Sequence, residues 1–165
     1  MKKEKIIELL CLLEQDARHS YERLATMLGV TEDEIGQTIS DLEREQIILS
    51  YPALINWDKI QGDDQVTAMI EVKVTPQRDR GFEEIAERIY RYSEVKSVYL
   101  MSGGYDLSVT IEGKSMREVA YFVAQKLSTL DHVISTSTHF ILKTYKHDGV
   151  IYEGPDDDRR MVVSP

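Results

Sequence analysis

Thr136 and Thr138 stand two residues apart in the run Ser-Thr-Ser-Thr-His-Phe, and Asp106 closes the run Gly-Gly-Tyr-Asp that begins at Gly103. On a strand, residues i and i+2 share a face, so the two threonine hydroxyls would point the same way. Propensity alone makes them ordinary strand residues. As chemistry they are a pair of hydroxyls for the wall of a small polar pocket, in which the Asp106 carboxylate could hold an ammonium group. An amino acid, with one carboxylate and one amine, would suit that combination.

Other constellations carry less. Gly113-Lys114-Ser115 has the end of a phosphate-binding loop, but that loop needs a glycine at position 108, where Ser stands. Gly103-Gly104 lacks the third glycine of a dinucleotide fingerprint and is expected to be a tight hairpin turn. His19, His132, His139 and His147 have neither close ligand spacing nor a cysteine partner, so no metal site follows. No Ser, His and Asp grouping stands out, and the chain is read as a non-enzyme without a cofactor. The single cysteine, Cys11, cannot form an intrachain disulfide, and its neighbours Ile7, Leu10 and Leu13 suggest a buried, inert thiol.

The elements that would position these residues fall into two parts. Ile6, Leu9, Leu10 and Leu13 form one helical stripe, and Leu24, Met27 and Leu28 form a second behind a Ser20 cap, ended by Gly29. Thr31 with Glu34 makes a capping box for a third helix bearing Ile35, Ile39 and Leu42. Three helices with a short glycine-containing turn before the last is helix-turn-helix spacing. The run Ile47 to Pro52 looks like a following strand or wing.

From Val66 the period becomes that of a strand, ended by Pro76. A helix bearing Phe82, Ile85, Ala86 and Ile89 comes next, then strands through Val95 to Leu100 and Leu107 to Ile111. A helix from Met116 to Leu127 precedes a last strand from Val133 to Tyr145. This βαββαβ order is the ferredoxin-like arrangement. The fold class is therefore α+β: a winged-helix-like helix-turn-helix domain over residues 1–50, an extended linker over 51–64, a ferredoxin-like domain over 65–147 and a flexible tail over 148–165. One face of the sheet has nothing in the chain to cover it, which points to dimerisation through that face.

Composition agrees with a folded, non-membrane chain. Hydrophobic residues make up 42% of the 165 and charged residues 30%, and no apolar run approaches the ~20 residues of a membrane helix. The start, MKKEKIIELLCLLEQD, is interrupted by acids and lacks a cleavage site, so it reads as a helix of a cytoplasmic protein. A net charge of −9 argues against generic binding to nucleic acid or anionic membrane.

The stretch "LATMLGVTEDEIGQTISDLEREQIILSY", followed at a distance by "SGGYDLSVTI" and "STSTHFILK", resembles the Lrp/AsnC family of prokaryotic regulators over about residues 3–146. The resemblance implies an N-terminal DNA-binding domain, a C-terminal sensing domain for a small effector, usually an amino acid, and dimers that often join into octamers. It places effector contacts at Gly103, Tyr105, Asp106, Thr136 and Thr138. The candidate DNA contacts are Arg18, Ser20, Arg23, Thr31, Thr38 and Arg44. Leu130-Asp131-His132-Val133 departs from the family's Leu-Pro-Gly-Val at that point.

The third helix departs further, since family members carry arginines there. Thr31 to Gln46 holds six acidic residues, Glu32, Asp33, Glu34, Asp41, Glu43 and Glu45, against one basic residue, Arg44. Carboxylates in the first turn complement the helix dipole, yet DNA phosphates would repel them. Lys2, Lys3, Lys5, Arg18 and Arg23 are the remaining cations. Three readings follow: a DNA-binding regulator acting through multivalent assembly, a sensing or assembly protein whose helix-turn-helix binds protein, and an enzyme like the haem-precursor decarboxylases of similar two-domain fold. The last needs histidines or arginines clustered over a porphyrin, and the sequence offers no such cluster.

Overall fold

In the computed structural model the described residues are 1–60, 65–75 and 81–152. The chain divides into two compact units, the first ending at Ile55 and the second beginning at Asn56. The expected end of a strand at Pro76, the linker residues 61–64 and the tail from residue 153 lie outside the described residues.

The first unit is three helices, α1 (Lys3–Gln15), α2 (Tyr21–Leu28) and α3 (Glu32–Arg44). Each begins and ends for a local reason. The Ser20 hydroxyl accepts from Arg23 N at 3.2 Å and the Thr31 hydroxyl from Glu34 N at 3.2 Å, satisfying amides that have no partner within the helix. Of the capping box, this half is formed, while the Glu34 carboxylate faces the N-terminal ammonium at 3.7 Å. Gly29 closes α2 in the left-handed conformation, φ 60°. The Lys5 ammonium donates to the Leu28 and Gly29 carbonyls. Leu9, Leu24 and Ile35, one from each helix, are fully buried and lock the three together.

The end of α3 differs from expectation. Residues Ile47 to Pro52 form no strand. Instead Ile47 N donates to Leu42 O at 2.9 Å and Gln46 N to Glu43 O at 3.0 Å, with Gln46 at φ 57°. This is the paired-bond helix ending in which glycine normally takes the left-handed position. Cys11 is also corrected: it is exposed, because Leu9 and Leu13 face the core and Cys11 lies half a turn from each.

The second unit holds β1 (Val66–Val74), α4 (Glu83–Tyr90), β2 (Val95–Leu100), β3 (Leu107–Gly113), α5 (Met116–Phe122) continuing as a π-helical turn over Val123–Leu127, and β4 (Val133–Phe140). The antiparallel sheet has the order β2-β3-β1-β4. Ala68, Ile70, Val72 and Val74 alternate onto one face, joined by Leu107, Val109 and Ile111. Ile85 and Ile89 of α4 and Val119, Phe122 and Leu127 of the second helical segment cover them. At about 1.5–3 kcal/mol for each fully buried large aliphatic side chain, this layer is the main source of the unit's stability. The other face carries Thr67, Glu71, Ser108, Thr110, Ser137 and His139 with Met69 and Tyr99 exposed among them, so it is mixed rather than uniformly polar.

Three boundaries differ from the sequence reading. Gly103-Gly104 is not a two-residue turn, because residues 101–106 all belong to the connection between β2 and β3. The last strand stops at Phe140. A short hairpin follows, β5 (Lys146–His147) and β6 (Val150–Ile151), turning at Asp148 and Gly149 with φ 44° and 79°. Positive φ at both central residues is what a two-residue hairpin loop requires. The segment expected to be flexible from 148 thus starts as paired backbone. At 132, where the resembled family has glycine, His132 takes φ 73°, keeping the left-handed geometry without that residue.

Candidate functional site

Two groups of residues need placing, one in each unit. In the first unit Arg18, in the turn between α1 and α2, is highly exposed, and its Nε lies 3.0 Å from Asp16 Oδ1. That contact holds the Asp16 carboxyl below its usual value. Ser20 and Thr31 are the caps of α2 and α3, so their hydroxyls already accept backbone amides. Arg23 is exposed on the first turn of α2 and makes no ion pair among the described residues. Arg44 is exposed and pairs with Asp41 at 2.7 Å.

Thr38 is the exception. It is buried, and its hydroxyl donates to Glu34 O at 2.6 Å. It lies on the flank of the stripe formed by Ile35, Ile39 and Leu42, and cannot reach a base edge without unseating the helix. The exposed stripe of α3 is Asp33, Gln37, Ser40 and Arg44. Gln37 is the residue the sequence reading passed over, although helical spacing alone marks it as facing away from the core.

The charge state of this surface is specific. Tyr51, beyond α3, donates its hydroxyl to Glu43 at 2.8 Å. Partial burial and the Glu43 carboxylate push its phenol up to about 12. Of the six basic groups of the first unit, Lys5 is spent on helix carbonyls and Arg18 and Arg44 each face a carboxylate. Lys2, Lys3 and Arg23 are exposed without a carboxylate partner among the described residues.

In the second unit Gly103, Tyr105 and Asp106 lie in the connection between β2 and β3. A Cβ on Gly103 would meet nothing within 4 Å. Tyr105 is half-buried. Asp106 is built into the end of the sheet: its amide donates to Val72 O at 3.0 Å, and its Oδ2 accepts from Val74 N at 2.9 Å. Its Oδ1 takes no hydrogen bond among the described residues.

Thr136 and Thr138 pair across the other edge of β1 with Val72 and Ile70. They share the helix-covered side of the sheet and are half-buried because β4 is an edge strand. Ser128 Oγ lies 3.3 Å from Thr136 Oγ1 and extends the hydroxyl pair to three. Asp106 and Thr136 therefore flank the same short stretch of β1 from opposite sides. With β1 between them their backbones stand about 10 Å apart, two interstrand spacings, while the Asp106 carboxylate reaches back onto β1 at Val74 N. One chain brings the threonines together and sets Asp106 at the same end of the sheet, with no hydrogen bond between carboxylate and hydroxyls among the described residues.

Among the described residues no three His, Cys, Asp or Glu side chains gather to hold a metal. No described helix is long and apolar enough to cross a membrane.

Comparison with known proteins supplies the frame for this arrangement. The family model of the Lrp/AsnC ligand binding domain matches residues 67–151, the stretch that carries both Asp106 and the threonine pair. The HTH-type transcriptional regulator YugG of Bacillus subtilis is 57% identical over 162 residues, covering 98% of each chain. Among solved structures, a transcriptional regulator of Neisseria meningitidis in complex with L-Met aligns with a TM-score of 0.70 at 22% identity, over 89% of this chain and 93% of that one. AsnC of E. coli aligns with a TM-score of 0.69 at 20% identity, over 93% of this chain and 99% of that one. The structural likenesses speak to the fold, and the sequence matches go further: this chain belongs to the Lrp/AsnC family of transcriptional regulators.

Proposed function

We propose that this regulator senses an amino acid at a site completed between copies of its C-terminal unit, and that it acts in the cytoplasm as a homodimer or higher assembly. The observation that carries the reading is the separation of Asp106 from the threonine hydroxyls by one intervening strand. In this reading one copy supplies Asp106 and another supplies Thr136, Thr138 and Ser128, since β1 lies between the two groups within a single chain. The L-Met complex of the Neisseria regulator supports this ligand class. Asp106 has a fixed Oδ2 and an Oδ1 without a hydrogen bond among the described residues, which suits it to receive an ammonium without leaving the sheet.

DNA binding by this chain rests on assembly. Few cations of the first unit stand clear of a carboxylate, and a single helix-turn-helix falls short of the ~6–10 phosphate contacts of a strong binder. Linking several such units raises the effective affinity without any new contact. The acidity of α3 also favours a second reading, in which the first unit docks a basic protein; binding of such a partner with DNA ignored would select it.

The test of the sensing site is a thermal-shift screen of the twenty amino acids, since a ligand bound only by the native state raises the melting temperature by mass action. One or a few amino acids should raise it, and Asp106→Ala should abolish the rise. A rise that survives Asp106→Ala would move the site elsewhere, and no rise with any of them would end the amino-acid reading.

A further inference from the structure

We infer that Gln37 reads an adenine in the major groove, and that Asp41 holds its amide in the orientation adenine requires. This rests on the DNA-binding reading and deepens it by naming the base. Asp33, Gln37, Ser40 and Arg44 are spaced i, i+4, i+7 and i+11 and form one exposed line on α3. It lies opposite the buried Ile35, Ile39 and Leu42. This is the line that the second helix of a helix-turn-helix turns toward the base edges.

Within that line Gln37 does not hang free. Its Nε2 donates to Asp41 Oδ1 at 3.1 Å, and the same oxygen receives Arg44 at 2.7 Å. A carboxylate only accepts, so the nitrogen end of the amide must face Asp41. That leaves Gln37 with its carbonyl oxygen and one further N–H for a base. Adenine presents an amino donor beside the N7 acceptor and matches both, whereas guanine presents two acceptors, one of which would oppose the carbonyl.

The arrangement also gives the acidity of α3 a use. Asp41 weakens attraction to phosphate, which all sequences share, while it fixes the contact that tells sequences apart. A merely structural Asp41 would not separate those two effects. Arg44, tied to the same oxygen, is the cation that keeps the pair from repelling the nearby backbone.

The experiment is selection from randomised duplexes by the full-length protein at low salt, with each variant's melting checked against the wild type. The wild-type motif should contain an adenine column in each half-site. Gln37→Ala should erase that column alone, costing about 5- to 150-fold against its best sequence, the discrimination of one bidentate contact. Gln37→Arg should move the column to guanine. Asp41→Ala should lower the adenine-to-guanine ratio while tightening binding to random duplex. A Gln37→Ala motif identical to the wild type, or a wild-type motif without the adenine, would overturn the inference and leave DNA binding standing. An unchanged ratio in Asp41→Ala would overturn the positioning role. Failure of the wild type to bind any duplex would overturn both the inference and the reading beneath it.

Discussion

Replacing Gln46 by glycine should stabilise the first unit, although it removes a side chain. Gln46 follows α3 at φ 57°, where an L-residue's Cβ crowds the following carbonyl at a cost of about 1–2 kcal/mol. Its side chain is exposed and makes no hydrogen bond among the described residues, so its loss removes no contact. Against the relief stands the greater freedom that glycine gives the unfolded chain, about 0.4–1 kcal/mol. The difference is a gain of about 0.5–1 kcal/mol. Hydrogen exchange of the Ile47 and Ile48 amides reads it locally, because both donate to Leu42 O across this turn. Their exchange through global opening of the unit should slow by about two- to fivefold, the same free energy expressed as a rate. In urea the unit's midpoint should rise with the slope unchanged. Unchanged or faster exchange would refute the claim that this helix end stores left-handed strain.

Gly29→Ala is the converse at the end of α2: with φ 60° and the nearest atom to an added Cβ at 4.0 Å, backbone strain rather than space should cost about 1 kcal/mol in urea unfolding. Thr38→Val should leave operator affinity unchanged in a mobility-shift titration, because the hydroxyl is turned into its own helix; a drop beyond twofold would restore Thr38 to the DNA surface. Glu94 is held below its ordinary value of 4.5, chiefly by its hydrogen bond from Lys126, whose ammonium also lies 5.2 Å from the Tyr92 ring centroid. Its folded value is therefore lower than its unfolded one, so the pair's contribution is complete above 4.5 and fades as pH falls through the folded value. Glu94→Gln should cost about 0.5–1 kcal/mol near neutral pH in urea unfolding, and that difference should close in acid.

Much of the fold was legible because it is written in local rules. The caps Ser20 and Thr31, the glycine stop at 29 and the alternation of Ala68 to Val74 each need only a few neighbouring residues to be read. The end of α3 was not, because Gln46 does there what glycine usually does, and nothing in its side chain announces a positive φ. The hairpin at Asp148-Gly149 falls where a flexible tail was expected: Asp-Gly suits a two-residue turn, but its strands are two residues each and too short to show alternation. Thr38 was legible in principle: its spacing from Ile35 and Leu42 sets it beside the core, and its polarity suggested otherwise. Asp106, Thr136 and Thr138 are legible by type and spacing, and Gly103 and Tyr105 through the family resemblance alone, while their separation across β1 depends on strand order, which the sequence does not spell out. Ser128 had no signal, since it meets Thr136 only through the turn before β4.

The proposed coupling of DNA binding to an amino acid can be put to a single test. The most direct measurement is a titration of operator duplex with the assembled protein across a salt series, with and without the amino acid that raises its melting temperature. Expected are binding at low salt that weakens steeply as salt rises, an affinity shifted by the amino acid in the wild type, and no such shift in Asp106→Ala. Binding that is indifferent to the amino acid, or no binding at low salt, would contradict it.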